Sequence, residues 1–230
     1  MASNFEGFPR EFFSFYRQLE KNNDRDWFNE NKQRYLDYVV APSLEFITAM
    51  QPALKKISPC FLAVPKRTGG SLMRIYRDIR FSKNKLPYKT NLGIQFRHEM
   101  GKDVHAPGFY FHFSQKESFI GAGVWCPGSG PLNQIRAIID DEAQKWKRVS
   151  RSKKFTSIYE LAGSSLKRPP RGYDADHKLI DDLKRKDHIA VSPLSAKDLA
   201  SPEIVDLTAQ RIRVAMPYVR FLCDALRLPS

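Results

Sequence analysis

The sequence predicts an α+β fold: a mostly antiparallel central sheet flanked by amino-terminal and carboxy-terminal helices. Three features carry this reading. Apolar residues recur at helical spacing near both ends of the chain, and strict alternation marks its middle. The alternating runs also follow one another too closely for the crossover helices that parallel strands require. The chain has 230 residues and no internal repeat, low-complexity tract or linker, so one domain over residues 1–230 is expected.

At the amino terminus Pro9 suits a first helical turn, and Phe12, Phe13, Tyr16 and Leu19 then form an apolar stripe. Asn22 to Asp26 breaks the pattern and supplies turn and cap residues for a helix carrying Trp27, Phe28 and Tyr35. A third helix restarts at Pro42, with Leu44, Ile47, Met50, Leu54 and Ile57 facing inward, and Pro59 closes the section.

Past Gly70 the period changes. Met73, Ile75 and Arg77 alternate with Arg74 and Tyr76 as on a half-buried strand, Ser82 to Pro87 reads as a loop, and Thr90 to Phe96 as the next strand. In GFYFHFS, Phe109, Phe111 and Phe113 alternate with Tyr110, His112 and Ser114, the cleanest period of two in the chain. Phe119 to Trp125 is another strand, in which Gly121 and Gly123 leave one face bare. Such glycines mark a bulge, the close approach of another element or, less often, a ligand against the sheet.

Beyond Gly128–Pro131 the pattern is helical again through Leu132, Ile135, Ile138 and Ile139. Phe155 to Gly163 reads as a short helix, Asp176 to Leu183 as another, and Ile189 to Val191 as a brief strand. Ser195 to Leu199 fits a helical turn. Ser201 and Pro202 precede a long final helix that Pro217 bends or restarts.

Charge narrows the function classes. The net charge is +13, with an isoelectric point near 9.7, which favours anionic partners. Two regions hold the excess: ten Lys or Arg against three acids from Lys66 to His105, and thirteen against six from Lys145 to His188. Cys60, Cys126 and Cys223 are odd in number and far apart, which argues for a reduced, cytoplasmic chain and against a metal site. No apolar run approaches the roughly 18 residues of a membrane span, and the amino terminus does not read as a signal peptide.

The stretch Leu72 to Phe96 concentrates the candidate site. Ile75, Ile79, Phe81, Leu92, Ile94 and Phe96 are expected to anchor it in the core. That would fix Arg74, Arg77, Arg80, Lys83, Lys85 and Lys89 in place as ligands for phosphate or carboxylate. Asp78 is its only acid and is placed to orient an arginine. His112 is the candidate proton carrier, although a strand-face histidine is more often structural. The loop LKRPPRGYDADH, stiffened by Pro169 and Pro170, adds Lys167, Arg168 and Arg171 as a second cluster.

Several segments together resemble the uncharacterised conserved family catalogued as domain of unknown function 2461, found in bacteria and some fungi. They are GFP at Gly7–Pro9, NNDRDWF at Asn22–Phe28, RIYRDIRFSKNKLPYKTNLG at Arg74–Gly93, PGFYFH at Pro107–His112 and LKRPPRGYDADH at Leu166–His177. Leu86 stands where a small polar residue is expected before PYK. The resemblance implies one domain and no particular activity or cofactor.

The function expected from the residues is therefore binding of a phosphorylated or otherwise anionic small molecule in a basic pocket. Phosphoester or acyl-phosphate chemistry would suit its electrostatics, with His112 and Asp78 as candidate catalytic residues. Two other readings remain open. Nucleic acid would meet the same cations together with Tyr76, Tyr88, Tyr110 and Tyr173. A nonenzymatic interaction protein would use its arginines in internal ion pairs.

Overall fold

The computed structural model describes residues 5–101 and 106–230. Lys102 and Asp103, counted in the central basic region, lie outside these residues, as does the start of the amino-terminal stretch.

The amino-terminal helices follow the apolar stripes. Helix α1 (Arg10–Lys21) buries Phe12, Phe15, Tyr16 and Leu19, one face of a 3.6-residue period. Asp24 caps α2 (Arg25–Glu30) by accepting from the Trp27 amide at 2.9 Å. Then α3 (Lys32–Tyr35) passes through a π-helical turn at Leu36–Val40 into α4 (Ala41–Ile57). Pro52 lies inside α4 and does not end it.

The sheet has six strands in the order β1-β2-β3-β4-β6-β5, and every pairing is antiparallel. The strands are β1 (Phe61–Leu62), β2 (Asn91–His98), β3 (Gly108–Ser114), β4 (Ser118–Val124), β5 (Glu160–Ala162) and β6 (His188–Pro193). Between β4 and β5 lie α5 (Ser129–Asp141), α6 (Ala143–Arg151) and α7 (Lys153–Thr156). Helix α8 (Ile180–Leu183) precedes β6, and α9 (Ala196–Leu199) and α10 (Ile204–Ala225) close the chain. The fold is α+β, with helices from both ends of the chain flanking the sheet.

Alternation assigns the two sheet faces. Phe109, Phe111 and Phe113 of β3 point into the helices, where Phe111 meets Phe8 and Phe46 and Phe113 meets Phe12 and Tyr16. Leu92, Ile94 and Phe96 of β2 are buried beside them, and α10 backs β4. One hydrophobic cluster runs from Phe5 to Ala225. Among the described residues no helix is long and apolar enough to cross a membrane. Cys60, Cys126 and Cys223 are free thiols.

Four expectations are corrected. In place of a continuous strand over residues 73–77, the chain makes two isolated bridges, Leu72 to Ile94 and Tyr76 to Tyr88. The helix expected to run from Phe155 to Gly163 stops at Thr156, and Glu160–Ala162 pairs with β6 as the outer strand. Of the helix expected from Asp176, only Ile180–Leu183 forms. Of the two roles expected for Pro217, a bend or a restart, the restart is excluded, because α10 is continuous through it.

Candidate functional site

The site begins with an arm that the chain throws out between β1 and β2. Residues 71–73 first lie along the outer edge of β2: the Met73 amide donates to the Gly93 carbonyl at 2.9 Å, and Gln95 to Ser71 at 2.8 Å. The chain then doubles back on itself. Lys89 donates to the Ile75 carbonyl at 2.7 Å and Arg77 to the Pro87 carbonyl at 2.9 Å, which makes residues 75–77 and 87–89 a two-stranded arm.

The base of the arm is locked to the helical layer. The side chain of Asn23 accepts from the Tyr88 amide and donates to the Tyr88 carbonyl, both at 3.0 Å, imitating a strand partner. The Phe28 ring stacks on Tyr88 at 4.0 Å with the planes 18° apart. Asn23 is thus a buried clamp, where a turn or cap was expected; its amide can satisfy a peptide's donor and acceptor together. Ile75 is buried as expected. Phe81, also expected to anchor in the core, is 95% exposed, because it sits on the tip, beyond the backbone pairing of Arg77 with Pro87.

A cavity of about 610 Å³ lies between this arm and the sheet face opposite the helices. Strand register lays out its floor as a grid. Gly93, His112 and Phe119 form one row, Gln95, Tyr110, Gly121 and Val191 the next, and Gly108, Gly123 and Ile189 the third. Arg74, Arg77, Asp78 and Lys89 of the arm form one wall, and Trp125 stands at the far end of β4.

Charge is unevenly satisfied in this wall. Arg80, just outside the cavity, holds the Asp78 carboxylate with two guanidinium hydrogen bonds, at 3.0 and 2.7 Å. Those bonds, aided by the charge of Arg74, hold the carboxyl at about 2. Among the described residues, Arg74, Arg77 and Lys89 have no carboxylate within ion-pair distance. Lys89 is half-buried, and burial, reinforced by the positive charge of Arg74, pushes its ammonium below the usual lysine value.

The floor carries the groups able to move a proton. His112 is stacked on Phe119 at 4.7 Å with the planes 15° apart, and its Nδ1 is 3.3 Å from the Tyr110 hydroxyl. Burial lowers the His112 pKa, opposed by Glu117, so near pH 7 the imidazole is neutral. Burial raises the Tyr110 phenol to about 12. Among the described residues no cluster of three or more His, Cys, Asp or Glu is placed to hold a metal ion.

The cavity therefore brings together Arg74, Arg77, Asp78, Lys89 and His112. Arg80 and Lys83 are exposed on the tip, and Lys85 donates to the Ile79 carbonyl on the arm's other side, where Asn23 and Arg25 share its groove. Lys167, Arg168 and Arg171 are exposed and do not line the cavity. Their loop is tied elsewhere, through the Leu166 amide to Lys184 and through His177 to Asp140 of α5 at 2.9 Å. Of the four tyrosines considered for stacking on bases, Tyr76 is exposed, Tyr88 is buried, and Tyr110 and Tyr173 are half-buried. Tyr110, Gln95 and Trp125 were not foreseen as cavity residues. The alternation in β3 puts Tyr110 beside His112, but neither the pairing register nor the arm's path can be read from local pattern.

A family model described as a conserved hypothetical protein (DUF2461) matches residues 11–221, most of the chain. The chain belongs to the DUF2461 family. That match takes in the arm, the cavity floor and the Asn23 clamp together, so the site lies wholly inside the region that defines the family. No curated protein and no solved structure matches the chain.

Proposed function

We propose that the cavity between arm and sheet binds an anionic small molecule, phosphorylated or carboxylated, through Arg74, Arg77 and Lys89. The carrying observation is that these three cations share one cavity wall without a carboxylate partner among the described residues, while the acid beside them is occupied by Arg80. Burial first, and the charge of Arg74 second, disfavour the Lys89 ammonium, and like charges gathered at the site repel one another. A bound anion relieves that repulsion. The planar guanidinium forks suit the paired oxygens of a phosphate or carboxylate, and the lysine adds a point charge.

In this reading Asp78 is a positioning group. It is ionised and held by Arg80, which stiffens the turn after Arg77. His112 is the proton acceptor available to a bound phosphoester or acyl phosphate, since its imidazole is neutral near pH 7 and faces the same cavity.

The test is isothermal titration of the full chain with inorganic phosphate, citrate, sugar phosphates and nucleoside monophosphates. Saturable binding by at least one of them is expected, weakened about tenfold or more by Arg77→Ala or Lys89→Met, since a charge-assisted hydrogen bond is worth about 1.5–3 kcal/mol. Variants melting with the wild type yet binding equally well would overturn the reading. A second reading, nucleic-acid binding, is favoured by one observation: Phe81 stands exposed on the basic tip with the Arg80 guanidinium 5.9 Å from its ring centre. Binding of oligonucleotides alone, fading steeply with salt and lost in Phe81→Ala, would put that surface first.

A further inference from the structure

Four glycines face the cavity, and at three of them an added Cβ would crowd a neighbouring group. At Gly93 an added Cβ would come within 2.6 Å of the Tyr110 hydroxyl and 2.9 Å of the Met73 sulfur. At Gly108 it would press to 3.1 Å on the Phe96 carbonyl. Gly123 has φ of +122°, and its Cβ would strike the His188 carbonyl at 2.0 Å.

Gly121 is different. Its backbone is not left-handed, and a Cβ would meet nothing closer than 3.6 Å, an ordinary van der Waals contact. Nothing in the strand requires glycine there. A glycine inside a central strand loses more conformational entropy on folding than any other residue and gives the sheet no side chain to pack. What its absent side chain provides is clearance over the middle of the sheet, in the row between Tyr110 and Val191 and next to Phe119.

We infer that the bare floor at Gly121 seats a flat aromatic ring, so the ligand is an elongated anion: a charged group at the arm and an aromatic ring over β4. This rests on the reading of the arm as an anion site. Shape supports it. The slot is thin because its floor is backbone, and Tyr110 and Phe119 stand beside it as aromatic neighbours, an environment suited to offset or edge-on ring contacts. Trp125 also lines the cavity. Length supports it too. Residues 71–73, β2, β3 and β4 are successive neighbours, so the arm's edge and Gly121 are about 14 Å apart across three strand spacings, less the reach of the cationic side chains. A small compact anion held at the arm leaves Gly121 untouched; a nucleotide-sized one covers it.

Matched probes on the wild type and Gly121→Val test this. Nucleoside monophosphates are compared with ribose phosphate, and naphthylbutyrate with octanoate, so that each ring-bearing anion has a ring-free counterpart and the two pairs separate phosphate from carboxylate. In the wild type the ring-bearing member of at least one pair is expected to bind about tenfold or more tightly, the value of one stacked ring. Gly121→Val is expected to melt at or above the wild-type temperature, because valine favours strands, while the ring's advantage disappears and ring-free binding persists. Two results would overturn the inference and leave the anion site standing: equal affinities within both pairs, with binding still lost in Arg77→Ala, or Gly121→Val binding ring-bearing anions like the wild type. Gly121→Val melting well below the wild type would show that the strand itself needs the glycine, which also overturns it. Failure of every probe to bind would remove the anion site and this inference together.

Discussion

The two faces of the sheet are built from the same strands and opposite chemistry. On the helical face Phe109, Phe111 and Phe113 alternate into a ring-packed interior with Phe8, Phe12 and Phe46. On the other face the intervening positions are Gly108, Tyr110 and His112, with Gly93 and Gly121 beside them, and the arm spans the space without filling it. A period of two assigns residues to faces; it does not require both faces to be packed. The covered face spends its side chains on stability. The open one keeps small residues and polar groups, and among the described residues it is covered by an arm pinned at Asn23 and Phe28.

That contrast can be broken most forcefully from the covered side. Phe111→Ala removes a fully buried ring between Phe8 and Phe46 and is expected to cost about 3–5 kcal/mol, seen as a large fall in the midpoint of chemical denaturation. A loss under about 1 kcal/mol would mean that the two faces are not energetically distinct in the way their packing implies.

A second test uses His188, whose side chain lies on the helical side of β6 beside Trp146. Among the described residues neither of its buried ring nitrogens has a hydrogen-bond partner, and burial, with Arg185 and Arg136 nearby, lowers its pKa to about 3. The unfolded chain therefore binds this proton below pH 6.5, while the His188 imidazole of the folded chain stays neutral down to about pH 3. The stability contribution is complete above the unfolded value and is lost as pH falls through this window. From pH 7 to pH 5 the loss is about 2 kcal/mol. Stability measured against pH in the wild type and His188→Gln should differ by that slope; parallel profiles would refute it.

A third test sharpens the comparison from the open side. Asn23→Ala leaves the Tyr88 amide and carbonyl without their side-chain partner and is expected to cost about 1–3 kcal/mol. Because Tyr88 adjoins Lys89, the same change should weaken anion binding although Asn23 does not line the cavity. Unchanged affinity in a destabilised variant would show that the arm holds its cations without the clamp.

Much of this was legible in the residues. The apolar stripes located α1, α4 and α10, GFYFHFS gave β3 with its faces, and Gly121 and Gly123 marked the bare side of β4. The basic stretch contains the segment that carries the cavity wall. What could not be read was which of its cations share a space. Arg74, Arg77 and Lys89 meet because backbone pairing of Ile75 with Lys89 and of Arg77 with Pro87 folds the arm back on itself, whereas Arg80, Lys83 and Lys85 lie beyond those bonds. Lys167, Arg168 and Arg171 look equivalent in composition, yet their loop is fastened to Lys184 and Asp140.

By itself, then, the sequence determined the fold class, the main helical stripes and the inward faces of β2, β3 and β4, because these follow from local spacing of apolar side chains. Only the tertiary structure decided strand order, the insertion of β6 between β4 and β5, and the set of cations that line one cavity. Those depend on pairings between residues far apart in the chain, such as Asn23 with Tyr88 and Gly121 with Val191, and nothing in the local pattern around either partner specifies the other.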